Sequence, residues 1–194
     1  MGLWDFEANQ YGSVRDWEMT KSYLARDPIM RGIIAQGEKL NIRVIPNNRN
    51  ITHIRNTGPN GPTIIDYDPH SGLRTTEGGR QSPALGAGHE MDHAVRRETD
   101  RKGYERDRLP RSDKQYDNRE ERRVIEGSEA HAAKTLGEDR RFDHRGTPFR
   151  TNSPTSRNPA PNASDAERRA TEERTKRAQE IMSDALHGLQ RKGP

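Results

Sequence analysis

The chain of 194 residues contains no cysteine. This absence excludes disulfides, cysteine-based zinc fingers and thiol catalysis, so a bound metal would rely on His, Asp or Glu side chains. Long apolar runs are absent too, because no segment approaches the ~18 residues that a membrane helix needs. The N-terminal segment lacks the basic and apolar regions of a secretory signal. We therefore expect no membrane span and no cleavable signal peptide.

An excess of charge of one sign is also missing. The chain has 34 basic and 30 acidic residues, and the two signs alternate along its polar segments. The net charge of +4 makes a weak electrostatic field, which argues against nucleic acid as a partner. Hydrophobic residues make up only 28% of the chain, so the composition predicts one small core together with long polar segments.

Shifts in composition divide the chain into four predicted regions. Residues 1–25 are predicted as an N-terminal leader, which is a candidate secretion signal. Residues 26–146 hold most of the apolar periodicity and are predicted as the folded domain. Residues 147–163 are rich in Pro, Ser and Asn and are predicted as a flexible linker, whereas residues 164–194 are predicted as a polar helix with one apolar stripe.

Local patterns predict the secondary structure. Asp27 and Pro28 are a typical helix cap and first helical residue, and Ser82 and Pro83 repeat this arrangement. The predicted helices span 14–24, 28–37, 82–97 and about 118–136. The predicted strands span 40–46, 50–55 and 63–68, whereas 69–81 is predicted as a loop and 98–117 lacks a periodic apolar face. This order predicts an α+β fold with a short antiparallel sheet packed on the third helix and with polar, flexible termini.

The segment His89-Glu90-Met91-Asp92-His93 carries the clearest chemical signal. Positions i and i+4 share one face of a helix, so both histidines can direct a ring nitrogen at one ion. Glu90 then lies beside that ion, where it can take a proton from bound water, as in zinc hydrolases. Asp92 is a charged residue where such helices usually have an uncharged one, so its face must be solvated or paired. An exposed helix that merely carries two histidines is the alternative.

A catalytic zinc also needs a third protein ligand, and no third histidine follows the motif closely. The predicted helix over 118–136 supplies the candidates, which are Glu120, Glu121, Glu126, Glu129 and His131. Glu121 and Glu129 each share a helical face with Ile125, which favours a buried carboxylate at either position. Glu120 and Glu126 are expected in solvated ion pairs, and His131 is a weaker candidate.

Several segments in a fixed order resemble one family. They are IIDYDP (64–69), RQSP (80–83), GHEMDHA (88–94), EERRVIEGSE (120–129) and LGEDRRFDH (136–144). In this order they resemble the NleD-type effector metallopeptidases, a zincin family that bacterial type III secretion systems inject. The resemblance spans about residues 27–146, roughly 60% of the chain, and implies that 26–146 is a small zincin-like metallopeptidase domain with a second, ligand-bearing helix.

The resemblance also implies roles for individual residues. His89, His93 and Glu121 would bind Zn²⁺, with Glu129 as the second choice for the third ligand. Glu90 would be the general base, and Arg141 or His144 would hydrogen-bond the oxyanion of peptide hydrolysis. The substrate would be an extended segment of a host protein, such as a signalling kinase.

The family resemblance further implies export and partners. The protein would be secreted and translocated into the host cell cytosol, and a secretion chaperone is a candidate partner. Two alternatives stay open at this point. One is a non-enzymatic basic interaction protein that binds nucleic acid or a protein partner, and the other is an interbacterial zinc toxin domain.

Overall fold

The computed structural model describes residues 4–40, 42–58 and 60–160, and these form an α+β fold. The helices are α1 (Val14–Leu24), α2 (Pro28–Gly37), α3 (Pro83–Thr99), α4 (Arg101–Asp107), α5 (Arg119–Val124) and α6 (Ala130–Leu136). A π-helical turn, Ile125–Glu129, joins α5 to α6. The strands are β1 (Asp5–Phe6), β2 (Ile42–Pro46), β3 (His53–Ile54), β4 (Thr63–Tyr67), β5 (Ser71–Arg74), β6 (Arg80–Gln81) and β7 (Thr147–Arg150).

The predicted helix starts are confirmed by their caps. The Asp27 carboxylate accepts hydrogen bonds from the first free backbone N–H groups of α2, and Pro28 opens that helix. The Ser82 hydroxyl accepts one from the backbone N–H of Leu85 at 3.2 Å, and Pro83 opens α3. These side chains bind backbone N–H groups that have no partner within the helix. Because a cap is adjacent in sequence to the helix that it starts, the sequence predicts it directly.

The main sheet has the strand order β1-β2-β4-β3. The prediction of an antiparallel sheet is wrong here, because β1, β2 and β4 run parallel and only β3 pairs antiparallel. The residues between β2 and β4 cross over the sheet and place β3 at its edge, instead of forming a hairpin. Every residue of β4 is buried, as is usual for a parallel strand that is covered on both faces.

A second, antiparallel sheet has the order β6-β5-β7. The loop prediction for 69–81 is wrong, since β5 and β6 both lie there. β7 lies in the stretch 147–163 that the sequence predicts as a linker, and Ser71 pairs there with Arg150. These strands are two to four residues long and mostly polar, so they carry no apolar alternation that a sequence pattern could detect.

The core lies between the main sheet and α3. It includes Trp4, Trp17 and Leu24 from the region predicted as a leader, so residues 4–24 are packed into the fold. α4 lies within 98–117, where no helix is predicted, and buries Tyr104 near His93. Whether 1–25 also acts as a secretion signal stays a prediction, and the predicted helix 164–194 lies outside the described residues. No helix in the described part of the chain is long and apolar enough to cross a membrane.

Candidate metal centre

Three donor atoms converge where α3 meets α5. Nε2 of His89 and Nε2 of His93 lie 3.0 Å apart. Oε2 of Glu121 lies 3.0 Å from the first nitrogen and 3.1 Å from the second. The structure thus brings together the two histidines of the motif and the preferred third ligand, and this group could hold a metal ion.

The spacing of these donors suits one shared ion. Ligand atoms that each lie about 2.0–2.1 Å from a zinc ion at tetrahedral angles are about 3.3 Å from one another. The observed separations of 3.0 and 3.1 Å are close to that value. Two imidazole nitrogens with one carboxylate oxygen also form a donor set that catalytic zinc sites use, in which one position stays open for water.

Each histidine also contacts a carboxylate through Nδ1, the ring nitrogen that does not face the other two donors. Nδ1 of His89 donates to Glu129 at 2.8 Å, and Nδ1 of His93 donates to Glu120 at 2.9 Å. Both carboxylates are buried, with 2% and 0% of their surface exposed. Such partners fix the orientation and tautomer of metal-binding histidines. Glu129, our second choice for the third ligand, therefore contacts Nδ1 of His89 and not the point where the three donors converge.

The buried carboxylates are themselves neutralised by arginines. Nε and Nη2 of Arg141 donate to Glu129 at 2.8–3.1 Å, and Gln81 donates a further hydrogen bond to it. Glu120 accepts from Arg96 and from Arg123. Each carboxylate therefore retains a charged partner in the interior, which offsets much of the desolvation penalty of burying it.

Electrostatics favour positive charge at the convergence point. Burial alone would lower the pKa of His93, but Glu121 and Glu120 outweigh it and raise this pKa to about 10. Burial likewise opposes ionisation of Glu121, but His93 and His89 hold its pKa far below the ordinary range. The carboxylates that raise the pKa of His93 would equally attract a divalent cation. Binding of that cation would displace the protons from the ring nitrogens that become its ligands.

Glu90 lies beside the three donors without joining them. Its Oε1 is 3.9 Å from Nε2 of His89, and its side chain is 13% exposed. Its Oε2 accepts a hydrogen bond from the backbone N–H of Ile54 in β3 at 3.0 Å, which anchors the carboxylate. This placement puts the Glu90 carboxylate next to the three donors without making it one of them.

Arg141 and His144 reach the same site from the segment after α6. Arg141 is buried against Glu129, and its Nη1 forms no hydrogen bond to any residue that the structure describes. His144 lies 3.3 Å from Glu121 through Nε2 and 2.8 Å from Asp117 through Nδ1, and its ring stacks near that of His89. Both side chains line one cavity with Glu90.

Three other motif-related residues are paired. Asp92 is buried and accepts hydrogen bonds from Arg123 and Ser128, which confirms the expectation of a solvated or paired face. Glu126 is exposed and pairs with Arg122, as expected. His131 lies away from the centre, where it contacts Asp27.

The expectation for Glu120 is wrong, because this residue is buried and not on a solvated face. On an uninterrupted α-helix, Glu120 and Glu129 would point in opposite directions, because nine residues make about two and a half turns. The π-helical turn, in which Gly127 has non-helical dihedral angles, breaks that rotation and lets both carboxylates reach α3. The local sequence pattern does not predict such a turn, although π-helical insertions are common at functional sites.

No protein-family model, curated protein or solved structure matches this chain. The geometry of the centre itself therefore carries the functional conclusion.

Proposed function

We propose that the protein is a zinc-dependent endopeptidase with a zincin-like domain. The observation that carries the proposal is the convergence of His89, His93 and Glu121 within 3.1 Å of one another, with Glu90 beside them. The ligand set of two histidines and one glutamate is typical of zinc hydrolases, and the adjacent glutamate is typical of their general base. A bound zinc supplies an acidic water and polarises the scissile carbonyl.

Glu90 takes the proton of the attacking water and passes it to the leaving amine. Its Oε1 lies 3.9 Å from Nε2 of His89, and the backbone N–H of Ile54 holds the other oxygen in place. A general base must lie within hydrogen-bond reach of the proton that it abstracts, and the anchored position of this carboxylate beside the ligands supports that role.

Arg141 and His144 are proposed to hydrogen-bond the oxyanion. Support comes from their position, since both line the cavity that Glu90 also lines. Arg141 keeps one guanidinium nitrogen without a partner among the described residues, while its other contacts hold Glu129 and so the ring of His89. Preorganised donors of this kind stabilise the developing negative charge because they need no reorganisation during the reaction.

The substrate is proposed to be an extended peptide segment that lies along β3. This strand is at the edge of the main sheet, pairs on one side with β4, and contains Ile54, whose backbone N–H binds Glu90. A strand edge offers backbone hydrogen bonds to an extended chain, largely independent of sequence, and here the substrate would use edge groups other than the N–H of Ile54, which is bound to Glu90.

The biological setting is proposed from the family resemblance alone. By this resemblance, the protein is a bacterial effector that is secreted and translocated into the host cytosol. It would act on a host protein there, and a secretion chaperone is a candidate partner. A zinc toxin aimed at bacteria would share the same site, so the two settings differ only in substrate and route of export.

Metal content and turnover test the proposal together. Protein without a His tag should contain about one zinc per chain by mass spectrometry, and His93→Ala should lose it. His70→Ala, which alters a histidine outside the centre, should keep it. Glu90→Gln should keep zinc but lose hydrolysis of unfolded casein. Protein without zinc after reconstitution at neutral pH would instead favour the interaction protein, and a fully active Glu90→Gln would contradict the mechanism.

A further inference from the structure

A cavity of about 180 Å³ opens beside the candidate metal centre, and we call it the Gly86 cavity. His89 and Glu90 form part of its wall, so whatever fills it lies next to the reacting groups. Its volume is well below the roughly 300–1,000 Å³ of sites for small-molecule ligands, and it is suited to a single side chain.

A glycine on the motif helix lines the cavity. Gly86 lies one turn before Glu90, so both residues share one face of α3. From residue 81 to residue 90, these two positions alone are not fully buried. A Cβ placed on Gly86 would meet no atom within 4 Å, which means that the space above it is open.

Packing does not explain this glycine. A glycine inside a helix weakens it relative to alanine, and alanine would fit at position 86 without a clash. Gly88 shows the contrast, because a Cβ there would lie 3.0 Å from the side chain of Leu24. A side chain at position 88 would therefore press on its neighbours, whereas one at position 86 would displace none of the described atoms.

Three apolar side chains line the cavity together with polar ones, and Arg141 and His144 are among the polar ones. Ile51 comes from the loop before β3, Leu73 from β5, and Pro148 from β7. Ile51 is 44% exposed, so part of its side chain is free to contact a ligand. An aliphatic side chain that contacted these three residues would bury apolar surface.

We propose that the Gly86 cavity receives one aliphatic side chain of the peptide substrate, adjacent to the scissile bond, and that Gly86 sets its depth. This inference rests on the proposed peptidase function. It makes Gly86 and Ile51 residues that determine specificity and take no part in the bond cleavage itself.

Two small zinc-binding probes test the cavity directly. N-acetyl-leucine hydroxamate and N-acetylglycine hydroxamate carry the same metal-binding group and differ only in an isobutyl side chain. Zinc-loaded protein should bind the leucine compound roughly tenfold or more tightly, as measured by calorimetry, because the isobutyl group leaves water. Equal affinities, or no binding of either compound to the zinc-loaded protein, would overturn the proposal.

Matched variants place the effect in the cavity. Gly86→Leu should abolish the preference for the leucine compound while zinc content stays at that of the wild type. Gly32→Leu introduces the same side chain at another helical glycine with open space above it, on the exposed side of α2, and should preserve the preference. Ile51→Ala, a change at a partly exposed loop position, should weaken the preference without disturbing α3.

The outcomes separate this inference from the proposed function. An undiminished preference in both Gly86→Leu and Ile51→Ala would refute the cavity assignment, even if zinc binding and Glu90-dependent turnover hold. A chain that binds no zinc would refute the peptidase proposal before any probe is added, and the cavity assignment would fall with it.

Discussion

At the scale of single residues, the centre depends on which ring nitrogen of each histidine carries the proton. A neutral imidazole has one N–H and one lone pair. When Nδ1 donates to Glu129 in one case and to Glu120 in the other, both lone pairs are left on the Nε2 atoms that face Glu121. The two rear carboxylates thus select the tautomer that can bind a metal.

Glu120 provides the sharpest test of this arrangement, since sequence patterns group it with Glu126. Glu120→Gln should weaken zinc binding by roughly 10–100-fold, because the amide orients His93 less strongly and leaves two arginines without their shared anion. Competition with a chromophoric chelator measures this affinity. Glu126→Gln removes an exposed carboxylate that pairs with Arg122 and Tyr116 and does not contact the histidines, and it should leave the affinity within about twofold. Equal effects of the two changes would show that burial behind His93 is irrelevant to the metal.

Residues of the centre differ in how far sequence can identify them. His89, Glu90 and His93 follow from a spacing within five residues, and local helical geometry is sufficient to bring them together. The choice of Glu121 as the third ligand depends on the family resemblance, because the helical face that Glu121 shares with Ile125 is shared equally by Glu129. Glu120 escaped detection because its burial arises from the contact between α5 and α3, which no local pattern encodes.

At the scale of elements, one side chain ties two helices together. The Asp27 carboxylate caps α2 and also accepts hydrogen bonds from His131 at 2.5 Å and Thr135 at 2.7 Å, both in α6. Because α6 directly follows Glu129, this contact helps to hold the helix that positions His89. The sequence predicts that Asp27 caps α2. Its contact with α6 depends on tertiary packing, which the sequence pattern does not predict.

Removal of the Asp27 side chain should destabilise the fold. Asp27→Ala should lower the free energy of unfolding by about 2–3 kcal/mol, since it deletes a helix cap and leaves buried partners unsatisfied. Asp27→Asn should cost less, because the amide oxygen can still accept from the start of α2. Ser13→Ala, at the exposed cap of α1, should cost about 1 kcal/mol and is the matched control. Urea unfolding at pH 7 measures all three, and equal costs at the two caps would contradict the tie to α6.

The same residue predicts how stability depends on pH. Burial raises the pKa of Asp27, but hydrogen bonds from Met30, Thr135 and His131 outweigh it and hold the pKa below its ordinary value. A lowered pKa in the folded state stabilises the fold above the unfolded pKa of about 3.9, and this contribution is lost as the pH falls through the folded value. The stability gap between wild type and Asp27→Asn should therefore narrow in acid, and a constant gap would contradict the shift.

Elements also show what sequence patterns miss. Capped helices such as α2 and α3 were predicted closely because their start signals are adjacent in the chain. The direction of the strands was not predicted correctly, because parallel pairing of β2 with β4 depends on how the intervening segment crosses the sheet. The short polar strands β5 and β7 exist through pairing with each other, which spans a large separation in sequence.

At the scale of the whole molecule, the N-terminal residues complete the core. Trp17 packs against Phe6, stacked at 5.6 Å between ring centroids, and against Tyr67 of β4 at 5.8 Å. Trp4 meets Trp17 edge-on and donates a hydrogen bond from Nε1 to the backbone carbonyl of Ile34. The domain boundary that composition predicts at residue 26 separates this aromatic cluster from the rest of the core. The prediction fails because the core residues before it are widely spaced among polar neighbours.

Truncation of Trp17 tests whether this segment is part of the folding unit. Trp17→Ala should lower the free energy of unfolding by about 3–5 kcal/mol, since the side chain is 2% exposed and its loss leaves a large cavity. Trp17→Phe should cost less, because Nε1 of Trp17 is buried without a hydrogen-bond partner among the described residues. Tyr11→Ala, at an aromatic residue of the same segment that is 43% exposed, should change stability by about 0.5 kcal/mol at most. Urea unfolding followed by circular dichroism compares the three, and a Trp17→Ala protein as stable as Tyr11→Ala would mean that residues 1–25 are a separable leader.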